Sequence, residues 1–290
     1  MWFLFSFLTA FFESLKDVVS KKNLKNNVNE YVVAWSMKFF AVVLLTPVLF
    51  LFFKIPQIGN DFWWVLLVGG SLNVVAAVLI MKALKYSDMS LVVPMIAFTP
   101  VFLLLTSPLM LGEWPNFWGV MGILLIVLGS YILHIKEKKD GYFAPFKALI
   151  KERGARLMLL VAFIWSITSN FDKIGVINSS PIFWVFSTNT LMALVLLPIM
   201  MKQNGGTKQI ISNFKSLMPV GFFNAVAQIF QMTAINMTLV AYVISIKRTS
   251  VIMGVLFGAL IFKEKGLKER LLGAVIMVMG VILILFTKSY

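Results

Sequence analysis

Cysteine is absent from the 290-residue sequence, and histidine occurs once, at His134. The first absence excludes disulfides, thiolate metal sites and a cysteine nucleophile, and a single histidine excludes a multi-histidine metal site. Charged residues are scarce, at 13%, whereas apolar residues make up 60%. A soluble domain carries about 25% charged residues. The composition therefore indicates an integral membrane protein, and we expect it to need no cofactor.

Ten apolar segments come close to the roughly 20 residues that a helix needs to cross a bilayer. They cover residues 2–20, 31–53, 62–81, 90–111, 117–135, 157–174, 182–201, 217–236, 240–262 and 269–287. The first is the weakest, because it contains Glu13, Lys16 and Asp17. No basic stretch precedes it and no cleavage site follows it, so we expect a membrane helix there and no cleaved signal peptide.

The sequence resembles itself at an offset of 151 residues, as expected of an internal repeat. The matched pairs are Pro47 with Pro198, Gly70 with Gly221, Asn73 with Asn224, Ala83 with Ala234, Glu113 with Glu264, Gly122 with Gly273, and Gly129 with Gly280. We predict two five-helix halves, 1–135 and 157–290, joined by a basic linker at 136–156. Because five is odd, the second half enters the membrane from the opposite side. The predicted fold is all-α, with ten transmembrane helices in two inverted repeats, an arrangement common in transporters.

The net charge of +14 is unevenly distributed between the predicted loops. Nineteen of the 26 basic residues lie in loops that follow odd-numbered helices, and only Lys54, Lys173 and Lys288 lie on the other face. By the positive-inside rule, this predicts a cytoplasmic linker and both termini outside, in the cell membrane. Contact with anionic lipid then explains the basicity. The chain has too little polar surface for a nucleic-acid binder.

The first helix carries Glu13, Lys16, Asp17 and Ser20 on one face. Ionisable groups within a membrane are functional candidates because they are expensive to bury. Glu13 and Lys16 are therefore candidates for coupling. The alternatives are a tilted helix whose last turn is interfacial, with local pairs between Glu13 and Lys16 or Asp17, and a structural salt bridge from Glu13 to Lys38.

Three further cations, Lys38, Lys247 and Arg248, lie near the middle of predicted helices. Neighbouring residues on a helix point about 100° apart, so Lys247 and Arg248 cannot face the same way. We expect one of them to face a central cavity and the other to pair with a carboxylate or a carbonyl. Buried cations in a cavity would suit a substrate that bears a carboxylate or phosphate.

Polar side chains form stripes on the eighth and sixth helices, and both stripes are consistent with pore lining or with hydrogen bonds between helices. The stripes consist of Asn224, Gln228 and Gln231, and of Ser166, Ser169, Asn170 and Lys173. Three aromatic residues are candidates for stacking on a substrate, with packing or contact with lipid as the alternatives: Trp35, Trp165 and Tyr242. The candidate binding or coupling residues are Glu13, Lys16, Lys38, Asn73, Trp165, Asn224, Gln228, Gln231, Tyr242, Lys247 and Arg248.

The repeated glycines predict close helix packing, as does Gly254-x-x-x-Gly258. Glu113 and Glu264 each follow the fourth helix of a half and precede the fifth. A carboxylate is favoured near a helix N-terminus by the helix dipole, so we expect a structural role for both, with proton handling as the alternative.

The chain resembles the drug/metabolite transporter superfamily, in particular its ten-helix EamA type, over essentially its full length. The residues that carry the resemblance are Phe163-Ile164-Trp165-Ser166, Lys38-Phe39, Thr99-Pro100, Gly112-Glu113 and Lys263-Glu264. The resemblance implies secondary transport of small metabolites such as amino acids, or drug efflux, along a path between the first four helices of each half, with the fifth and tenth helices at the periphery. Glu13 is similar to the membrane carboxylate of small multidrug resistance proteins, which implies proton coupling. The matching residue of the second half, at the offset of 152 that applies toward the N-terminus, is Trp165. Family members usually have both termini inside, unlike the charge-based topology.

We therefore expect a secondary transporter of a small organic solute, working by alternating access as a monomer or homodimer. The alternatives are a flippase or binder of an anionic lipid-linked substrate, and a membrane adaptor without transport. No catalytic or nucleotide-binding motif is present in the sequence, so we do not expect an enzyme.

Overall fold

The computed structural model describes residues 1–86, 93–134, 152–203, 205–262 and 267–287. This part of the chain is helical and contains no β-strand. The first half forms α1 (Trp2–Lys25), α2 (Glu30–Phe52), α3 (Phe62–Tyr86), the 3₁₀ helix η1 (Val93–Phe98), α4 (Thr99–Leu111) and α5 (Phe117–His134). The second half forms α6 (Arg153–Ile177), α7 (Pro181–Met201), α8 (Gly206–Ser212), α9 (Phe214–Met237), α10 (Val240–Lys247), α11 (Ser250–Phe262) and α12 (Leu267–Leu285).

Within the described residues, seven segments are long and apolar enough to cross a membrane: Glu30–Phe52, Phe62–Ile80, Pro94–Leu111, Arg153–Ile177, Pro181–Met201, Phe214–Met237 and Val240–Phe257. Two shorter apolar helices cover Phe117–Leu133 and Leu271–Leu285. The helix α1 is more polar and is not among these segments.

Apart from shifts of a few residues at helix ends, the structure differs from the predicted segments in three respects. The helix α6 begins at Arg153, inside the segment predicted as linker, while residues 135–151 lie outside the described part. The fourth and ninth helices, predicted as continuous, are each interrupted near the middle, by a change from 3₁₀ to α-helix in the fourth and by the two-residue turn Arg248-Thr249 in the ninth. The short helix α8 lies in the connection between the seventh and eighth helices, where hydropathy predicts only a loop.

Caps at the helix ends follow from local sequence. Asn29 accepts a hydrogen bond from the Tyr31 amide at the start of α2, and Ser180 accepts one from the Phe183 amide at the start of α7. Gly112 ends α4 with a φ of +67°, a left-handed conformation that glycine adopts without steric cost. These caps fix where the loops begin.

The chain forms two compact units, and each contains helices from both halves of the sequence. Unit one is Met1–Gly70 with Asp172–Asn236, and unit two is Ser71–Phe171 with Met237–Tyr290. The helices α3 and α6 therefore contribute to both units, and α9 lies almost entirely in unit one.

In unit one, α2 packs antiparallel to α7. Near one end of this contact the Trp35 indole donates to the Ala193 carbonyl (3.0 Å), and toward the other Phe50 meets Phe186. The core around it is formed by Val28, Val32, Val33, Trp35, Phe40, Leu196, Met200, Leu217 and Val220. The helix α1 packs on α9, since Phe12 contacts both Phe223 and Phe230.

In unit two, α5 packs antiparallel to α12 through the repeated glycines. A Cβ on Gly122 would lie 2.7 Å from the Gly280 carbonyl oxygen, and one on Gly273 would lie 2.6 Å from that of Gly129. These distances are too short for a side chain, so the predicted close packing is confirmed. Gly254 makes no such close contact with the described residues, since none of their atoms lies within 4 Å of a Cβ placed there.

Candidate functional site

The fourth and ninth predicted helices, which the repeat makes equivalent, pack together in unit two and are interrupted at equivalent positions. In the first, the 3₁₀ helix ends at Phe98 and α4 begins at Thr99, followed by Pro100. In the second, α10 ends at Lys247 and α11 begins at Ser250, which matches Thr99 at the 151-residue offset. In many transporters the binding site lies where membrane helices are interrupted. Here the turn keeps its backbone hydrogen bonds, for example from the Thr249 amide to the Ile246 carbonyl (2.9 Å), so the candidate site is formed by side chains.

Arg248 joins the two interruptions. Its Nη2 donates to the Thr99 hydroxyl (2.9 Å), which in turn donates to the Ile96 carbonyl (2.8 Å). The guanidinium carbon lies 5.9 Å from the Trp165 ring centroid, within range of a cation–π contact. The site thus combines a half-buried cation, the beginnings of two helices and an aromatic ring. Such a combination suits an anionic group attached to an organic body.

Lys247 and Tyr242 lie on α10, next to this site. Lys247 is half-buried in the last turn of α10, one residue before Arg248. Tyr242 is buried, and its ring packs so closely on Gly119 of α5 that a Cβ there would overlap the phenol. The structure therefore favours packing over substrate stacking for Tyr242.

Glu113 is a helix cap, but not of the helix we expected. Its Oε2 accepts a hydrogen bond from the Val240 amide (2.8 Å), the first residue of α10. The amide of Gly119 in α5 is instead capped by the Asn116 side chain (2.8 Å). The carboxylate thus stabilises the helix that ends next to Arg248. Glu264 lies outside the described residues.

The polar stripe of the sixth helix holds helices together. Asn170 on α6 accepts from the Ser107 hydroxyl (2.7 Å) and donates to the Thr106 hydroxyl (3.1 Å), both on α4. Ser166 and Ser169 donate to carbonyls of their own helix. Asn73 lies half-buried on α3.

In unit one, the stripe on α9 meets Asn189 of α7. The Asn189 amide donates to Gln228, and its Oδ1 accepts from the Asn224 amide (3.1 Å). Asn189 and Asn224 are both buried. Gln231 is also buried, further along the same helix. Two of the three stripe residues therefore join α7 to α9 through a residue absent from our predicted set.

The charged face of α1 forms a local ion pair. The Lys16 ammonium lies 2.6 Å from Glu13 Oε1 and 3.5 Å from Asp17 Oδ1. The side chains of Glu13 and Lys16 are 17% and 13% exposed, whereas Asp17 is 63% exposed. The structure therefore contains the local Glu13–Lys16 pair, which was one of the alternatives left open by the sequence. Lys38 lies half-buried on α2, one turn from Trp35, whose ring stacks on Phe39.

Comparison with known proteins agrees with this architecture. The sequence profile of the EamA-like transporter family matches residues 1–135 and 152–286. The chain belongs to the EamA-like transporter family. It is a multi-pass integral membrane protein of that family, as the resemblance in its sequence predicted.

This EamA-family chain is also similar to an uncharacterized transporter of Archaeoglobus fulgidus. The two are 24% identical over 206 residues, which cover 70% of this chain and 68% of the relative. A solved crystal structure superposes with a TM-score of 0.69 at 15% identity, covering 97% of this chain and 95% of the other. That similarity shows the fold.

Asn189 and Thr99 are the residues of the EamA-family chain that sequence reasoning missed as site members. A signal for Asn189 was present, because it matches Lys38 at the 151-residue offset. Thr99 was noted for the family resemblance alone. Among the predicted site residues, the structure brings together Trp165 with Arg248, Asn224 with Gln228 through Asn189, and Glu13 with Lys16.

Proposed function

We propose that this protein is a secondary transporter, and not an enzyme, that moves a small organic solute with a carboxylate or phosphate group across the cell membrane by alternating access. The paired helix interruptions joined by Arg248 carry the proposal. Arginine binds planar anionic groups through two parallel hydrogen bonds. A substrate anion at this place would bind guanidinium N–H groups other than the one that donates to Thr99, whose hydroxyl holds the guanidinium in a fixed orientation.

The proposal includes ten membrane helices in two inverted repeats. Each unit contains equivalent helices from the two halves packed antiparallel, α2 with α7 in unit one and α5 with α12 in unit two. The α5 and α12 contact supports the repeat most directly. Gly122 faces Gly280, and Gly129 faces Gly273. Since the repeat matches Gly122 with Gly273 and Gly129 with Gly280, each of the two contacts is the repeat equivalent of the other. An inverted repeat gives inward-open and outward-open states of similar energy.

Uptake into proteoliposomes tests the transport proposal. We expect a labelled amino acid or other small organic anion to enter vesicles preloaded with the same unlabelled solute. Amines of similar size without an anionic group should be excluded. Repeating the assay with and without a pH gradient measures proton coupling.

Arg248→Gln should reduce uptake at least tenfold, because the neutral amide loses the charge that attracts the anion. The matched control is Lys54→Ala, which removes an exposed cation from the α2–α3 loop and should leave uptake unchanged. Absence of solute movement under every gradient, or full activity of Arg248→Gln, would contradict the proposal.

A further inference from the structure

Two connections of unit one are strongly basic and contain little opposing charge. Within residues 18–34 and 202–216, Glu30 is the sole carboxylate in the sequence. The basic residues are Lys21, Lys22 and Lys25 at the end of α1, and Lys202, Lys208 and Lys215 between α7 and α9. Such an excess of positive charge attracts anionic lipid headgroups at a membrane surface.

The two connections form one surface because side chains tie them together. The Asn23 amide donates to the Ser216 carbonyl (2.9 Å), and the Ser216 hydroxyl donates to Asn23 Oδ1 (2.7 Å). The Asn29 backbone amide donates to Gln209 Oε1 (2.9 Å). Lys22 and Lys215 are chain neighbours of residues in this contact, so the cations of both connections lie at the same end of the unit.

A cavity of about 360 Å³ opens at the start of α9. It is lined by Ile211, Ser212, Asn213, Phe214, Lys215 and Ser216. This volume falls in the range of small-molecule binding sites. The connection from 202 to 213 joins two membrane-spanning segments, Pro181–Met201 and Phe214–Met237, and so lies at the membrane surface.

Cationic and apolar side chains occur side by side on this connection. Ile211 is 79% exposed and Phe214 is 48% exposed, an arrangement that would be unfavourable in water alone. Lys208 and Lys215 are exposed and form no hydrogen bond or ion pair with any residue in the described part of the chain. A phospholipid satisfies both features, since its headgroup is charged and its acyl chains are apolar.

We propose that this surface binds an anionic phospholipid. Lys208 and Lys215 contact its phosphate oxygens, and Ile211 and Phe214 contact the acyl chains next to the headgroup. The site uses no residue of the transport proposal, and it can be tested without measuring transport.

Native mass spectrometry of the full chain provides the test. Delipidated protein in a neutral detergent is titrated with phosphatidylglycerol and, separately, with phosphatidylcholine of identical acyl chains. We expect phosphatidylglycerol to bind first and more tightly. The variant Lys208→Ala/Lys215→Ala should bind it roughly 30-fold more weakly, given the usual contribution of a lysine at an anionic surface. Raising the ionic strength should weaken binding to the original protein as well.

Two variants separate charge from folding. Lys208→Arg/Lys215→Arg should retain phosphatidylglycerol binding, because both charges remain. Lys54→Ala, in another connection of the same unit, should behave as the original protein. Equal binding of the two lipids, or undiminished phosphatidylglycerol binding by the alanine variant, would overturn the proposal. Complete displacement of the lipid by millimolar inorganic phosphate would overturn it too, since it would indicate a site for small free anions.

Discussion

The Thr99 hydroxyl accepts a hydrogen bond from Arg248 and fixes the orientation of the guanidinium. Removing this hydroxyl therefore tests whether that orientation matters for substrate binding. Thr99→Val keeps the volume but removes the acceptor of the 2.9 Å bond from Nη2. A hydrogen bond to a charged group contributes about 1.5–3 kcal/mol. We expect the KM for transport of the anionic solute to rise about tenfold, because the guanidinium loses its fixed position. Thr99→Ser, which keeps the hydroxyl, should retain the original KM. An unchanged KM in Thr99→Val would show that the bond has no part in binding.

Asn189 holds two polar side chains of α9, so its loss should reduce stability. Asn189→Leu leaves the amides of Asn224 and Gln228 without this partner in a buried environment. Hydrogen bonds between membrane helices average about 0.6 kcal/mol. We expect the free energy of unfolding in micelles to fall by about 1–2 kcal/mol. The neighbouring Thr190→Val should have little effect, because the Thr190 hydroxyl bonds a carbonyl of its own helix. Equal effects of the two changes would argue against an interhelical role for Asn189.

The Glu13–Lys16 pair can be tested with a double-mutant cycle. Glu13→Gln leaves the Lys16 ammonium with Asp17 at 3.5 Å as the nearest carboxylate. Removing one partner of a buried pair is strongly destabilising, whereas replacing both is often neutral. We expect Glu13→Gln to lower the free energy of unfolding by about 2 kcal/mol, and Glu13→Gln/Lys16→Met to recover most of it. A double variant that folds normally but loses all pH dependence of uptake would instead assign Glu13 to proton coupling.

The limits of sequence reasoning are clearest for Glu113 and Asn189. The position of Glu113 between two helices correctly predicted a cap, because acidic side chains stabilise helix N-termini. It did not identify the helix, since α10 begins 127 residues further along the chain. Asn189 stands in the consecutive polar run Ser187-Thr188-Asn189-Thr190, which is spread around the helix and so forms no stripe on one face. Contacts between distant segments of the chain determine both roles.

At the scale of helices, the glycine contact between α5 and α12 gives a sharp stability prediction. A Cβ on Gly129 would lie 2.5 Å from the Gly273 carbonyl oxygen, so Gly129→Val must separate the two backbones. Overpacking typically costs about 1–3 kcal/mol. We expect a loss of this size in the free energy of unfolding. Gly254→Ala is the matched control. It adds a methyl group where no described atom lies within 4 Å, and helix propensity favours alanine by up to about 1 kcal/mol. Destabilisation by both changes would contradict the packing argument.

Hydropathy predicted where the helices lie but not where they are interrupted. The fourth helix contains a signal, because Pro94 and Pro100 flank the change from 3₁₀ to α-helix. The ninth has neither proline nor glycine at Arg248-Thr249. There the Thr249 hydroxyl bonds the Ile246 carbonyl, while the Arg248 side chain reaches Thr99. An average over 18 residues cannot detect a turn of only two residues.

At the scale of the whole molecule, the halves seen in the sequence differ from the compact units of the structure. The repeat divides the chain near residues 135–157, whereas each unit combines helices from before and after that point. Sequence similarity detects the repeat because it preserves residue order. Compactness depends instead on which helices pack, and equivalent helices of the two halves pack with each other. The two predicted halves therefore do not correspond to the two compact units.

The absence of cysteine makes the topology directly measurable. In unit one, the end of α1 contacts the start of α9 through Asn23 and Ser216, and the α2–α3 loop contacts the end of α6 through Gly59 and Asn178. The first pair of connections follows the first and seventh predicted helices, and the second pair follows the second and sixth. Connections after odd-numbered helices thus contact each other, and so do connections after even-numbered helices, as expected if the two classes lie on opposite sides of the membrane. The variants Lys208→Cys and Lys54→Cys each introduce a single thiol. Lys208 lies in a connection after an odd-numbered predicted helix, and Lys54 lies in one after an even-numbered helix.

We expect a membrane-impermeant maleimide to label Lys54→Cys in intact cells and to label Lys208→Cys only after the cells are opened. The physical reason is the positive-inside rule, which retains the lysine-rich loops in the cytoplasm. A second cysteine site in each loop class, at Asn60 and at Lys22, controls for local shielding of the thiol. The reverse labelling pattern would place both termini inside, as is usual in the family. In that case the nineteen cations would have to be retained outside by anionic lipid or by a partner.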